Sequence, residues 1–101
     1  MRYFMDEKDR TLVVKLDGDL DHHLSQLIRI PIDEKIDKNG IDAVVFDFKN
    51  TSFMDSSGIG LIMGRYKLLS RKGGKVFVTN VSPAIKRIFE ISGLYKIVCE
   101  K

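Results

Sequence analysis

The chain has a single cysteine, Cys99, among its 101 residues, so no internal disulfide can staple the fold and a reducing cytoplasm is the expected compartment. No charged-then-apolar leader stands at the start, which argues against secretion. Long hydrophobic runs are also missing. Stretches such as residues 43–46 fall far short of the roughly 20 apolar residues that span a bilayer, so no integral membrane association is expected. Charge of one sign is scarce too: 17 basic residues against 14 acidic ones leave +3. That excess is spread through the chain and does not point to direct DNA binding. Arg65, Lys67, Arg71, Lys72, Lys75, Lys86 and Arg87 are read as a solvated face, some of which can steer association with an acidic partner.

Apolar residues make up 44% and charged residues 31%, an ordinary globular mixture that folds. The length supports one domain, residues 1–101, because a second independent core needs roughly another 50 to 100 residues. Residues 3–5 and 11–16 read as two strands of an N-terminal hairpin, joined by the charged turn 6–10. Gly18 breaks the pattern. From Asp21, placed as an N-cap, Leu24, Leu27, Ile28, Ile32 and Ile36 recur at helical spacing. Pro31 sits inside that helix, removes a backbone donor and disfavours helical geometry at Ile30, so a kink or a broken first turn is expected.

After Asn39-Gly40, residues 43–48 suit a strand buried on both faces, as in a parallel sheet. A loop over 49–54 leads to Asp55 and Ser56, whose oxygens can cap a helix carrying Ile59, Leu61, Ile62, Met63, Tyr66, Leu68 and Leu69. Gly73-Gly74 stops it. Residues 75–79 read as a strand, Ser82-Pro83 as a cap with proline at the first helical position, and Ala84, Ile85, Ile88, Phe89 and Ile91 as the stripe of a third helix ending at Gly93. Residues 95–99 read as a short closing strand. This alternation predicts an α/β fold with a mixed, mostly parallel sheet and amphipathic helices.

Catalytic readings fail one by one. Asp55-Ser56-Ser57-Gly58 lacks the Gly-x-Ser-x-Gly of a nucleophile elbow. His22 and His23, the only histidines, are adjacent, so at most one faces a given site. Gly58, Gly60 and Gly64 open a helix after a strand, but the third glycine falls one position late for a dinucleotide turn and no Walker lysine follows. Asp17, Asp19 and Asp21 alternate like calcium ligands, yet His22 and Ile28 stand where glycine and glutamate are required. Asp47 is an unsupported phospho-acceptor within a strand. The chain is therefore not expected to be an enzyme or to need a cofactor. Ser56 remains. A phosphate at a helix start meets unpaired backbone donors and the positive end of the dipole. It adds about −1.5 to −2 charge without touching the core, which describes a switch. Simple helix capping is the competing structural role of Ser56 and Ser57.

Three ordered motifs carry a family resemblance: Gly18-Asp19-Leu20-Asp21-His22-His23, then residues 52–67 beginning Ser52-Phe53-Met54-Asp55-Ser56-Ser57-Gly58-Ile59-Gly60, and finally residues 82–89 followed by Ser92-Gly93-Leu94-Tyr95-Lys96-Ile97. Together they resemble the anti-sigma F factor antagonists of sporulating bacteria, and the Asp-Ser-Ser-Gly loop by itself resembles the wider class of sulfate-transporter and anti-sigma-antagonist (STAS) domains. The resemblance implies a single STAS-like domain that binds an anti-sigma factor, itself a serine kinase, and so frees a sporulation sigma factor. It also implies phosphorylation on Ser56 by that kinase and reactivation by a serine phosphatase. Asp21, Asp55, Ser57, Gly58 and Ile59 are then the partner-binding residues around Ser56, with Met54 and Ile59 as possible apolar anchors and Gly58 and Gly60 as small residues for close approach. A general stress-pathway antagonist or scaffold with another kinase partner is the alternative. Relatives continue past the last strand into a further helix, so thinner cover over one sheet face is expected here. They also generally run uninterrupted where Pro31 stands.

Overall fold

The computed structural model describes residues 2–101. Strands β1 (Arg2–Lys8) and β2 (Thr11–Asp17) pair antiparallel, and β3 (Ala43–Asn50), β4 (Lys75–Thr79) and β5 (Cys99–Glu100) follow in parallel, giving one sheet in the order β1-β2-β3-β4-β5. Helices α1 (His22–Lys38), α2 (Ser56–Ser70) and α3 (Pro83–Ser92) fill the connections between the parallel strands. This is the mixed, mostly parallel α/β fold that the element order predicts.

Strand alternation explains the single core. Leu12, Val14 and Leu16 of β2, Val44, Phe46 and Phe48 of β3, and Val76 and Val78 of β4 join one buried cluster with Leu24, Ile28, Ile32 and Ile36 of α1, Leu61, Ile62 and Leu69 of α2, and Ile85 and Phe89 of α3. The opposite sheet face is less covered: Phe4 is exposed, Val13 and Phe77 are half-buried, and only Val45 is closed off between its neighbours.

The structure corrects several local readings. Helix α1 is unbroken through Pro31. Leu27, whose carbonyl loses its usual donor to that proline, is 52% exposed, so water can replace the missing N–H while the stripe at i+4 spacing holds the helix on the sheet. Leu27 is thus not a core residue, and neither is Ile91, which is 75% exposed. β1 runs on through Lys8 to a tight turn at Asp9 and Arg10, both at positive φ (52° and 66°), the two-residue hairpin geometry without a glycine. β3 extends into the expected loop as far as Asn50. The closing strand is only Cys99–Glu100, preceded by a 3₁₀ turn at Leu94–Lys96. Gly93, at φ 79°, permits that turn at the end of α3.

Two glycines in α2 are opposites. A Cβ on Gly58 would lie 2.5 Å from Met54 Cγ and 2.8 Å from the Leu20 carbonyl oxygen, whereas one on Gly60 would meet nothing within 4 Å. Gly58→Ala should therefore cost about 1–3 kcal/mol by overpacking against backbone. Gly60→Ala should stabilise by about 0.5–1 kcal/mol through helix propensity. Urea denaturation of the two variants measures both, and equal effects would refute the packing argument.

The Tyr95 hydroxyl donates to Glu100 Oε1 at 2.8 Å. Burial first, then the bond to Glu100 and its charge, push this phenol up to about 12. The folded chain thus keeps a proton that an unfolded tyrosine releases near pH ~10. The associated stability is complete below about pH 10 and is lost as pH rises toward 12. Ultraviolet absorbance titration should show Tyr95 ionising late, and at lower pH in Glu100→Gln.

Candidate functional site

The carboxyl ends of β2 and β3 feed two loops that are stitched together before each becomes a helix. The Gly18 N–H donates to the Asn50 carbonyl at 3.0 Å, and the buried Thr51 hydroxyl donates to the Gly18 carbonyl at 2.9 Å. The Leu20 N–H donates to the Phe53 carbonyl at 3.0 Å and the Asp55 N–H to the Leu20 carbonyl at 3.3 Å, making a parallel bridge between Leu20 and Met54. Both bridge side chains are buried.

Immediately after the bridge, the two chains do the same thing. Asp21 (φ −101°, ψ −170°) caps α1 by accepting from the Leu24 N–H at 3.0 Å. Asp55 (φ −103°, ψ −171°) caps α2 by accepting from the Ser57 N–H at 2.8 Å. Two helix N-termini therefore start side by side, each with an aspartate at its entrance. Ser56, expected to share the capping, is instead the first residue of α2 and is exposed. The Gly58 and Ile59 N–H groups reach the Asp55 carbonyl, while the Ser56 N–H has no protein acceptor among the described residues.

The expected site residues thus divide by depth. Asp21, Asp55, Ser57 and Ile59 are half-buried around exposed Ser56. Gly58 is buried against Leu20 and Met54, so it shapes the loop from beneath and cannot present itself to a partner. Met54 is likewise a core residue rather than an exposed anchor. Sequence reasoning missed Phe53, which is 50% exposed. The signal was available, since Phe53 and Met54 are consecutive in extended chain and point to opposite sides. The acidic run after β2 has structural work: Asp17 pairs with Arg2 at 3.2 Å, and Asp21 caps α1. Asp47 Oδ1 accepts from Asn80 Nδ2 at 2.9 Å and the Lys49 N–H at 3.0 Å.

Arg65 is not part of a solvated face. It is 7% exposed, in the seam between α1 and α2, with Nε 2.8 Å from Asp33 Oδ1 but not aligned as a hydrogen bond. Burial pushes the Asp33 carboxyl above the usual carboxylate range against the opposing pull of Arg65, and burial pulls the Arg65 guanidinium below its ordinary value against Asp33. Desolvation therefore outweighs the attraction on both partners, as expected for a misaligned pair. Lys72 is also committed, donating to the Ile36 and Ile41 carbonyls at 2.9 and 3.3 Å and tying the end of α1 to α2.

Taken together, these features define a small α/β module in which an exposed serine, Ser56, opens a helix capped by Asp55, beside a second helix start capped by Asp21. The model of the STAS domain family matches residues 3–101, and the chain belongs to that family. It is 45% identical over 94 residues to the anti-sigma F factor antagonist of Paenibacillus polymyxa, a match that takes in 93% of this chain and 80% of the relative. Among solved structures it is similar to the anti-sigma factor antagonist SpoIIAA in its unphosphorylated form, with a TM-score of 0.82 and 31% identity over 99% of this chain and 87% of that one. The Bacillus cell fate determinant SpoIIAA in its phosphorylated form matches at 0.81 and 33%, over 99% and 91%.

Removing the cap at the serine-bearing helix should loosen that end alone. Asp55→Ala should lower stability by about 1 kcal/mol and accelerate amide hydrogen exchange at Ser57, leaving Leu24 protected by its own cap. Uniform acceleration at both helix starts would contradict independent capping.

Proposed function

We propose that this chain is an anti-anti-sigma factor: unphosphorylated, it binds an anti-sigma F serine kinase in the cytoplasm and so releases the sporulation sigma factor. The observation that carries the reading is the exposed Ser56 at the first turn of α2, flanked by the half-buried Asp21 and Asp55, in a chain 45% identical to an anti-sigma F factor antagonist. Support for a regulatory rather than catalytic role comes from the site itself. Asp55 is occupied with the Ser57 N–H, and neither histidine belongs to the Asp55-Ser56-Ser57 loop. No helix among the described residues is long and apolar enough to cross a membrane.

Ser56 is the phosphorylation site in this reading. Its hydroxyl oxygen attacks the terminal phosphorus of ATP bound to the kinase, ADP leaves, and the hydroxyl proton passes to a base on the kinase. A serine phosphatase returns the hydroxyl by transferring the phosphoryl group to water. Asp21, Asp55, Ser57 and Ile59 form the docking surface around Ser56, Phe53 adds an exposed apolar anchor, and Gly58 acts only by setting the loop. The unpartnered Ser56 N–H and the positive end of α2 make the phosphorylated state locally tolerable, so modification need not unfold the helix. It acts on docking. A dianion pressed against partner groups arranged for a neutral hydroxyl loses its water without compensation, and a penalty of roughly 3–4 kcal/mol weakens binding several hundred-fold.

Incubation with the cognate kinase and ATP, followed by mass-spectrometric mapping, should place one phosphate on Ser56. Ser56→Ala should bind the kinase and accept no phosphate, and Ser56→Asp should bind about a hundred-fold more weakly. Phosphate entering Ser56→Ala at the wild-type rate would overturn the assignment.

A further inference from the structure

β1 is a terminal strand of the sheet, paired with β2 on one side only. Its 7 residues exceed the common strand length of roughly 5–6, and the usual protections against edge pairing are weak in it. It contains no proline, its one lysine, Lys8, stands at its end, and its register with β2 runs from Arg2 opposite Asp17 to Lys8 opposite Thr11 without a bulge. The tight turn at Asp9 and Arg10 closes on Lys8 and Thr11, which makes them a hydrogen-bonded pair. Pair types alternate along an antiparallel ladder, so Arg2, Phe4 and Asp6 spend their backbone groups on β2, whereas Tyr3 and Met5 turn theirs outward, unpaired. The side chains alternate too. Tyr3 and Met5 pack on the core, while Arg2, Phe4 and Asp6 stand exposed on the opposite, less covered face. There the Arg2 guanidinium lies 5.7 Å from the centre of the Phe4 ring, Phe4 is 53% exposed, and Asp6 has no ion-pair partner among the described residues.

We propose that this edge is an interface between two copies of the chain: β1 pairs antiparallel with β1 of a second copy about a two-fold axis at Phe4, joining the two sheets into one. A two-fold axis perpendicular to the sheet keeps each face on its own side, so residues of one face meet only residues of that face. With the axis at Phe4, Tyr3 opposes Met5 of the second copy, and the outward backbone groups of both are satisfied. Phe4 opposes Phe4 in the closely spaced, non-hydrogen-bonded type of pair, which withdraws both rings from water. Arg2 opposes Asp6 of the second copy, and the symmetry makes this contact twice. Moving the axis one residue, to Met5, sets Arg2 against Lys8 and Phe4 against Asp6, a like-charge pair and an apolar–charged one. Charge and apolar matching therefore select the register centred on Phe4. The pairing residues lie outside the loops around Ser56, so self-association and the proposed switch use different surfaces.

The test uses the unmodified chain with no kinase present, so its outcome is independent of the Ser56 assignment. Sedimentation velocity over a range of protein concentrations should show a dimer whose fraction rises with concentration. Arg2→Glu sets Glu against Asp6 of the second copy, and Asp6→Lys sets Arg2 against Lys, so each variant alone should dimerise about tenfold more weakly or not at all. Mixed in equal amounts, the two variants should recover the dimer, because each then meets an opposite charge at both contacts. Both positions are exposed, and the Arg2–Asp17 pair lost in the first variant is a surface contact, so each variant should keep the wild-type far-ultraviolet circular dichroism. Recovery on mixing separates a matched edge from a variant that merely folds poorly. A wild-type chain that stays monomeric up to about millimolar concentration, the range of weak association, would overturn the proposal. So would a dimer unchanged in both variants, which would place the contact on another surface, or variants that remain monomeric when mixed.

Discussion

The bridge between Leu20 and Met54 is the constraint on which the rest of the site depends. Two loops leave neighbouring parallel strands, and without a tie they would enter their helices independently. Backbone bonds on both sides of Leu20 fix their separation, and the buried Leu20 and Met54 side chains anchor them to the core. Gly58 closes the arrangement from the helix side, because α2 approaches so closely that a single methyl group would strike the Leu20 carbonyl. The two aspartate caps follow at once with nearly the same backbone angles. Their similarity is a consequence of the bridge: each cap begins one residue after a paired position, so both helices start from the same edge in the same geometry.

Much of this was legible in the sequence because it is local. The order of strands and helices, both proline-free caps and the Ser82-Pro83 start follow from side-chain period and capping chemistry within a few residues of one another. What was not legible depends on neighbours far along the chain. Arg65 reads as one more surface base until Asp33, 32 positions earlier, is brought beside it across the helix seam. Pro31 reads as a break until the apolar stripe beneath it is seen fully buried, with the lost hydrogen bond on the wet side. Gly58 and Gly60 are indistinguishable as letters. Only the packing of α2 over Leu20 makes one indispensable and the other free.

The seam between α1 and α2 also shows why the two ends of the helix pair behave differently. At the far end, Lys72 gathers the Ile36 and Ile41 carbonyls, closing the helices over well-satisfied polar groups. Nearer the start of the helices the seam holds glycines and the unpaired Ser25 hydroxyl, and the poorly aligned Asp33–Arg65 pair lies in the later half of both. Polar burial of that kind is destabilising when left incomplete.

The place of Ser56 bears on how the proposed phosphorylation would switch binding without remodelling the domain. Ser56 precedes every residue of α2 that enters the core, and the first of these, Gly58, is already locked by the bridge. A charge added at Ser56 meets a free N–H and a helix dipole of favourable sign, while the core packing of α2 begins two residues later, at Gly58. The domain can therefore accept the modification at little internal cost. Its energetic effect then falls on whatever surface is pressed against the loop, where a desolvated dianion has no prepared partner. A site buried deeper would couple phosphate to unfolding, and one placed farther out would leave docking unaffected. The first turn of a helix pinned from beneath meets both requirements.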